Sequence, residues 1–208
     1  MIVGIIGKKQ SGKSAIGSHL VHLRGYTVLP MAETLKRMLV EMGVPRANLY
    51  GTEEEKEMPL EMLGGKTARK AMQTLGTEWG RNCIEFDLWA KMWMKSARRL
   101  IESGCSSIVC DDVRMYNECD AIEKLGGLLI YVQRPGIATA DGHFSELHIE
   151  NLPYHYKIVN DGDLDDLRAK VDDIILSASG KKGAPHEEGK VEPGEVKVRE
   201  GLTEQTDY

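Results

Sequence analysis

Eight residues near the amino end, Gly7-Lys8-Lys9-Gln10-Ser11-Gly12-Lys13-Ser14, constrain the fold more than any other part of the chain. They read G-x-x-x-x-G-K-S, and their flanks fit the pattern. Ahead of them Ile2, Val3, Ile5 and Ile6 form an apolar run suited to a buried strand. Behind them Ile16, Leu20 and Leu23 fall on one face of an amphipathic helix. Strand, glycine-rich turn and helix, in that order, define a P-loop. Its glycines let backbone N–H groups turn inward on phosphate oxygens, and the helix N-terminus adds partial positive charge. Gly7, Lys9, Gln10, Ser11, Gly12, Lys13, Ser14 and Ala15 are therefore expected to hold the phosphates of a nucleotide. Lys13 would reach the β- and γ-phosphates and the Ser14 hydroxyl would ligate Mg²⁺.

Further along, apolar runs alternate with helical patterns. Strands are expected at 26–29, 107–110, 128–132 and 155–159, besides the first. Helices are expected after the second strand (Leu35, Met38, Leu39, Met42), at 67–75, at 84–102 and from about 120 to 125. A last helix carries Leu164, Leu167, Val171, Ile174 and Ile175. Trp89 and Trp93, four residues apart, should be core, and the apolar residues of 84–102 cover more than one face, so that helix should be well buried. The stretch 44–66 has Pro45, Pro59, several glycines and Glu53-Glu54-Glu55, and reads as a loop or mobile insertion with room for one short helix. The stretch 134–153 has no clear period and also reads as a loop. Five strands separated by helices predict an α/β fold: a five-stranded parallel sheet between helical layers, the three-layer αβα arrangement of P-loop NTPases.

Domain limits follow from composition. Residues 1–179 are expected to form one domain. From about Gly180 onward 12 of 29 residues are charged and few are apolar, too few to offset the entropy of ordering, so 180–208 reads as a disordered tail. The whole chain has 208 residues and a formal net charge of −5, which argues against a protein that coats nucleic acid or an anionic membrane. No apolar run is long enough to span a bilayer, and the first residues already look like a core strand instead of a leader. Cys83, Cys105, Cys110 and Cys119 lack C-x-x-C spacing, so reduced thiols in a cytoplasm are expected. His19 and His22 should be solvated on the polar side of the first helix, and His143, His148 and His155 are too irregular to form a metal site.

A P-loop needs a carboxylate on the metal side, and Asp111-Asp112 supplies it at the end of an apolar strand, where ligands bind in open α/β sheets. Asp112 is expected at the Mg²⁺-bound water, the other reading being a helix cap. Phosphoryl transfer also needs cations around the transferred group; Arg114 and Arg134 are the candidates, each also readable as a surface arginine.

At this point the residues resemble those of the bacteriophage deoxynucleoside monophosphate kinases. Met31-Ala32-Glu33-Thr34-Leu35-Lys36 resembles the family's A-x-x-x-K segment, and the run from Thr67 to Arg81, TARKAMQTLGTEWGR, resembles its R-x-x-(L/M)-Q-x-L-G-T stretch. Asp112-Val113-Arg114 with Asn117-Glu118, Val132-Gln133-Arg134-Pro135-Gly136, His143-Phe144-Ser145-Glu146 and Ile158-Val159-Asn160-Asp161-Gly162 follow in the family's order. The resemblance covers about residues 2–176. It implies transfer of the γ-phosphate of ATP, with Mg²⁺, to a deoxynucleoside monophosphate, on a fold with monophosphate-binding and lid insertions. By carry-over, Arg69 and Lys36 would hold the acceptor phosphate and Gln73 would lie near its base or sugar. Trp79, beside that stretch, would line the base pocket, Arg134 would clamp the transferred phosphoryl from the lid side, and Asn160 and Gly162 would lie near the adenine.

The chain departs from the pattern in having Glu33 before Thr34 and no Lys or Arg between Gly136 and Pro153. The partner implied is a small-molecule substrate, not nucleic acid or membrane, and any self-assembly would be a homodimer. Two other readings remain at this stage: a P-loop kinase of another phosphorylated metabolite, and a degenerate nucleotide-binding scaffold. A guanine-specific switch would need N-K-x-D, which does not occur.

Overall fold

The computed structural model describes residues 1–136 and 148–180. The expected lid motif at 143–146, most of the 134–153 loop and the expected tail from 181 lie outside the described residues.

Five strands form one parallel sheet: β1 (Ile2–Ile6), β2 (Thr27–Val28), β5 (Ile108–Val113), β6 (Leu128–Gln133) and β7 (Tyr156–Val159). Their order is β2-β5-β1-β6-β7, so β1 is central and β5 and β6 flank it. Side chains alternate across this sheet as the two-residue period of a strand requires. Ile2, Ile6, Ile108, Cys110, Leu129 and Tyr131 meet one helical layer, α6 (Leu88–Glu102) and α7 (Tyr116–Glu123). Val3, Ile5, Val109, Ile130, Val132 and Ile158 meet the other, α1 (Lys13–Arg24) and α8 (Leu164–Gly180). Strands buried on both faces read as continuous apolar runs, which is why they were legible. The three-layer αβα arrangement of P-loop NTPases is thus the observed one.

Several local expectations need correction. The stretch 44–66 is built, not loose. It holds α3 (Arg46–Tyr50), α4 (Glu53–Lys56) and the antiparallel pair β3 (Pro59–Leu60) with β4 (Lys66–Thr67). Leu49 and Val44 from this stretch pack with Leu35 and Leu39 of α2 (Glu33–Glu41), with Ala68 and with Trp89. The helix expected at 67–75 ends as α5 (Ala68–Gln73) and continues as a π-helical stretch, Thr74–Ile84. Helix α6 therefore starts at Leu88, later than expected. Trp89 and Trp93 are buried as expected, and their indole N–H groups donate to Gly76 O at 2.7 Å and Leu29 O at 2.8 Å. A Cβ on Gly80 would lie 2.5 Å from the Trp89 ring, so only glycine lets the π-helical stretch lie against it. Met92 and Ile101, expected inside, are exposed, and α6 keeps one solvent face.

Two residues of α1 also differ. Leu23 is exposed, because the helix turns its last residues past the edge of the core. His19 is buried, and its Nε2 lies 2.8 Å from Asp172 Oδ1 on α8. Arg24 joins the same carboxylate at 2.9 Å, so one aspartate ties the two helices of this layer together.

Candidate functional site

The P-loop leaves the C-terminal end of the central strand, with the ends of β5 and β6 on either side. In open α/β sheets this is where ligands bind. The chain turns through Gln10 at φ 64° and Gly12 at φ 111°, both in the left-handed region. Gly12 occupies the cap position of α1, and among the described residues no side chain caps that helix. A Cβ there would stand 2.7 Å from Asn160 Nδ2, which itself donates to Ser11 O at 2.9 Å. Asn160 thus buttresses the loop from the end of β7, and its own N–H donates to Gln133 O at 2.7 Å. Gly162, placed beside it in the sequence reading, is exposed two residues further on.

Lys13 is buried, and its Nζ donates to Gly7 O and Lys8 O, both at 2.6 Å. Burial first, then the Arg114 charge, lowers its pKa to about 8, against the pull of Asp111 and Asp112. The lysine is therefore poised: an anion at the loop would offer it better partners than two carbonyls and would restore its full charge. Ser14 is exposed at the start of α1, and the buried Ser11 hydroxyl has no hydrogen-bond partner among the described residues. An uncapped helix N-terminus and an unpaired buried hydroxyl in the same turn fit a bound phosphate chain.

The two aspartates divide. Both lie inside β5 and not beyond its end. Asp112 accepts hydrogen bonds from Met31 N at 2.7 Å and Ala32 N at 3.2 Å, at the entry to α2. Asp111 lies against α1, where a Cβ on Gly17 would stand 3.1 Å from its Oδ2. Burial, then the Asp112 charge, raises the pKa of Asp111, opposed by Lys36 and Lys13. Among the described residues no group of three or more His, Cys, Asp or Glu could hold a metal ion. The donors present suit Mg²⁺ held through phosphate oxygens and water with one hydroxyl, the usual habit of that ion. Ser14 and the Asp111–Asp112 pair are the residues that would hold it.

On the β5 side, Arg114 follows the aspartates, and its N–H donates to Glu118 Oε2 at 2.7 Å. Glu118 is buried and pairs through Oε1 with Arg81 at 2.7 Å, an ion pair that joins the π-helical stretch to the turn carrying Arg114. Sequence reasoning missed this pair, although both residues stand in the quoted motifs. On the β6 side, Arg134 is exposed and lines a recess of about 120 Å³ with Lys8, Ser11 and Glu150, among others. Lys8 Nζ meets Glu150 Oε1 there at 2.5 Å.

The expected acceptor residues lie beyond the other flank of the loop. Arg69, in the first turn of α5, pairs with Glu53 at 2.5 Å and with Glu57. Lys9 of the P-loop reaches the same Glu53 oxygen, Oε2, at 3.3 Å. Lys36 lies over the Tyr50 ring, 4.9 Å from its centroid, with Arg46 also over that ring at 4.8 Å. The Tyr50 hydroxyl donates to Glu33 at 3.4 Å, so the unusual glutamate has a partner. Gln73 closes α5 partly exposed, and Trp79 is exposed with its ring 6.3 Å from that of Trp89. Glu57 and Tyr50 were not singled out from the sequence, and the acidic run with Glu53 read only as part of a loop or mobile insertion.

This fold and loop define a P-loop protein with cationic groups on both sides of its phosphate cradle. The family pattern described as "Deoxynucleotide monophosphate kinase" matches residues 46–171, which include Arg69, Asp112, Arg114, Arg134 and Asn160. The chain is 30% identical to the "Putative deoxynucleotide monophosphate kinase" of Acanthamoeba polyphaga mimivirus, over 86% of this chain and 98% of that protein. It is 29% identical to each of the deoxynucleotide monophosphate kinases of Enterobacteria phage T4 and Escherichia phage RB69, over 52% and 51% of this chain. It spans only 45% and 44% of those two proteins. The chain belongs to the deoxynucleotide monophosphate kinase family, and it is a kinase. No helix among the described residues is long and apolar enough to cross a membrane.

Proposed function

We propose that this kinase moves the γ-phosphate of ATP to a deoxynucleoside monophosphate, with Mg²⁺, giving the diphosphate for DNA precursor synthesis. Family membership carries the acceptor class. The observation that carries the site is the single Glu53 oxygen shared by Arg69 and Lys9. It brings a guanidinium of the acceptor side to the edge of the phosphate cradle, so an acceptor phosphate held by Arg69 lies beside the donor phosphates. A planar guanidinium takes two phosphate oxygens at once, which fixes the orientation of the attacking oxygen.

In this reading Lys13 releases the two loop carbonyls and follows the charge that develops on the transferred group. Mg²⁺, when bound, neutralises the donor phosphates. Ser14 and the β5 aspartates position it, Asp111 facing α1 and Asp112 also fixing the entry to α2. Arg114 and Arg134 flank the transferred group from β5 and β6. Lys36 assists Arg69 at the acceptor, Gln73 and Trp79 face its nucleoside, and Asn160 and Gly162 border the adenine side. The reaction is placed in the cytoplasm, where both nucleotides occur. The test is a panel of all common dNMPs and NMPs with ATP and Mg²⁺, followed by coupled ADP release. At least one dNMP should raise ADP production above the rate with ATP alone; an inert panel would refute the proposal.

A further inference from the structure

Helix α4 brings a carboxylate into a place that the reaction needs for a phosphate. Its N-terminal cap is complete without that carboxylate: Thr52 accepts from Glu55 N at 3.2 Å, and Glu55 returns the bond to Thr52 N at 2.6 Å. Glu53 is thus free of any capping duty. Its side chain is drawn instead to Arg69 at 2.5 Å, Lys9 at 3.3 Å and Lys56 at 3.3 Å, and Glu57 takes the remaining edge of the guanidinium. Three cations gathered on one half-exposed carboxylate are more charge than a single surface pair requires. Burial opposes ionisation of Glu53, yet Arg69 and the lysines hold its pKa below the ordinary value.

We propose that Glu53 is a built-in occupant of the acceptor-phosphate site, which the phosphate of the incoming monophosphate displaces from Arg69 and Lys9. The inference rests on the reading of Arg69 as the acceptor clamp. The chemistry of exchange is direct. A phosphate monoester carries ~1.5–2 negative charges at neutral pH against one for the carboxylate, and offers three acceptor oxygens against two. It therefore satisfies the same three cations better. Until it arrives, Glu53 keeps the guanidinium and the loop lysine from collapsing onto other anions, and it links α4 to the P-loop. Binding of the monophosphate frees Glu53 from both cations and sets the substrate's own phosphate between Arg69 and the loop in its place. Apparent affinity is the intrinsic affinity multiplied by the fraction of molecules in which Glu53 has already left the clamp.

The experiment is steady-state kinetics of Glu53→Gln and Glu57→Gln, with Arg69→Ala as reference and isothermal titration with inorganic phosphate in the absence of ATP. Removing the competing charge should lower KM for the dNMP about two- to fivefold in E53Q, the range set by half-exposed ion pairs. E57Q should move it in the same direction by less, and KM for ATP should not follow. Inorganic phosphate should bind E53Q more tightly than the wild type by a similar factor, which a merely structural role would not produce. If E53Q folds poorly, the kinetics of E57Q and a phosphate titration of E57Q against wild type still decide. A KM for the dNMP that stays level or rises in the glutamine variants, while Arg69→Ala raises it, overturns this inference and leaves the acceptor site standing. A KM for the dNMP indifferent to Arg69→Ala overturns both.

Discussion

The P-loop and the proposed acceptor clamp both gather positive charge, but they are made of different material. The loop's anion site is mostly backbone, held between a fully buried strand and a helix and propped by Asn160. Its buried charged side chain, Lys13, is bonded to carbonyls. The clamp is made of half-exposed side chains, Arg69 with Glu53 and Glu57, on short elements that a separate cluster around Leu49 and Trp89 holds together. A site of buried backbone is set by the fold and changes little when a ligand comes. A site of exposed ion pairs can trade one anion for another at small cost. The kinase would then keep its donor site preformed and its acceptor site exchangeable.

The largest effect that would sharpen this contrast is on turnover. Lys13→Ala should lower kcat about 10²–10³-fold, the scale of losing one donor aimed at developing charge, while the melting temperature stays close to wild type. A change confined to KM would mean that Lys13 serves ground-state binding alone.

Stability comes next. Leu49 is fully buried in the acceptor-side cluster, and Leu49→Ala should cost about 2–5 kcal/mol there. Amide exchange should speed up across 46–84 and leave 2–24 protected, because the two regions have separate cores. Uniform loss of protection would show that they unfold as one, and the contrast would fail.

A smaller effect is a proton count. Burial lowers the Lys13 pKa to about 8 in the free protein, from an ordinary 10.5. A lysine depressed by folding costs stability while it is charged, so the cost is present below about pH 8 and is relieved as pH rises toward 10.5. Phosphates should return the proton. ATP binding should therefore take up close to no proton at pH 7 and a growing fraction of one above pH 8, read by calorimetry in buffers of different ionisation enthalpy. Lys13→Ala should abolish the uptake.

The same contrast explains what the sequence made legible. Ile2 to Ile6, Ile108 to Cys110 and Leu129 to Val132 are buried on both faces, so their apolar runs were visible without any knowledge of partners. The stretch 44–66 has only scattered apolar residues, and Val44, Leu49, Leu60 and Leu63 gain their order from α2 and Trp89, far away in sequence. No local period could show that. His19 read as solvated because its partner, Asp172, stands 153 residues on. The π-helical stretch differs from an α-helix by one residue per turn, a difference the sequence pattern of 67–84 does not carry. At the site, residue types were legible and pairings were not: Arg69 stood out, whereas Glu53, which pairs with it, read as part of a loop or mobile insertion. Asp111 and Asp112 were seen as one unit, and only the geometry separates the one facing α1 from the one holding the entry to α2.

The central claim is that donor and acceptor phosphates meet between Lys13 and Arg69. Two-substrate kinetics of Arg69→Ala test it most directly. The account predicts a KM for the accepted dNMP raised about tenfold or more, as expected for a lost charged hydrogen-bonding partner, with KM for ATP close to wild type. A variant that loses affinity for ATP while KM for the dNMP holds would contradict it and reverse the two sites.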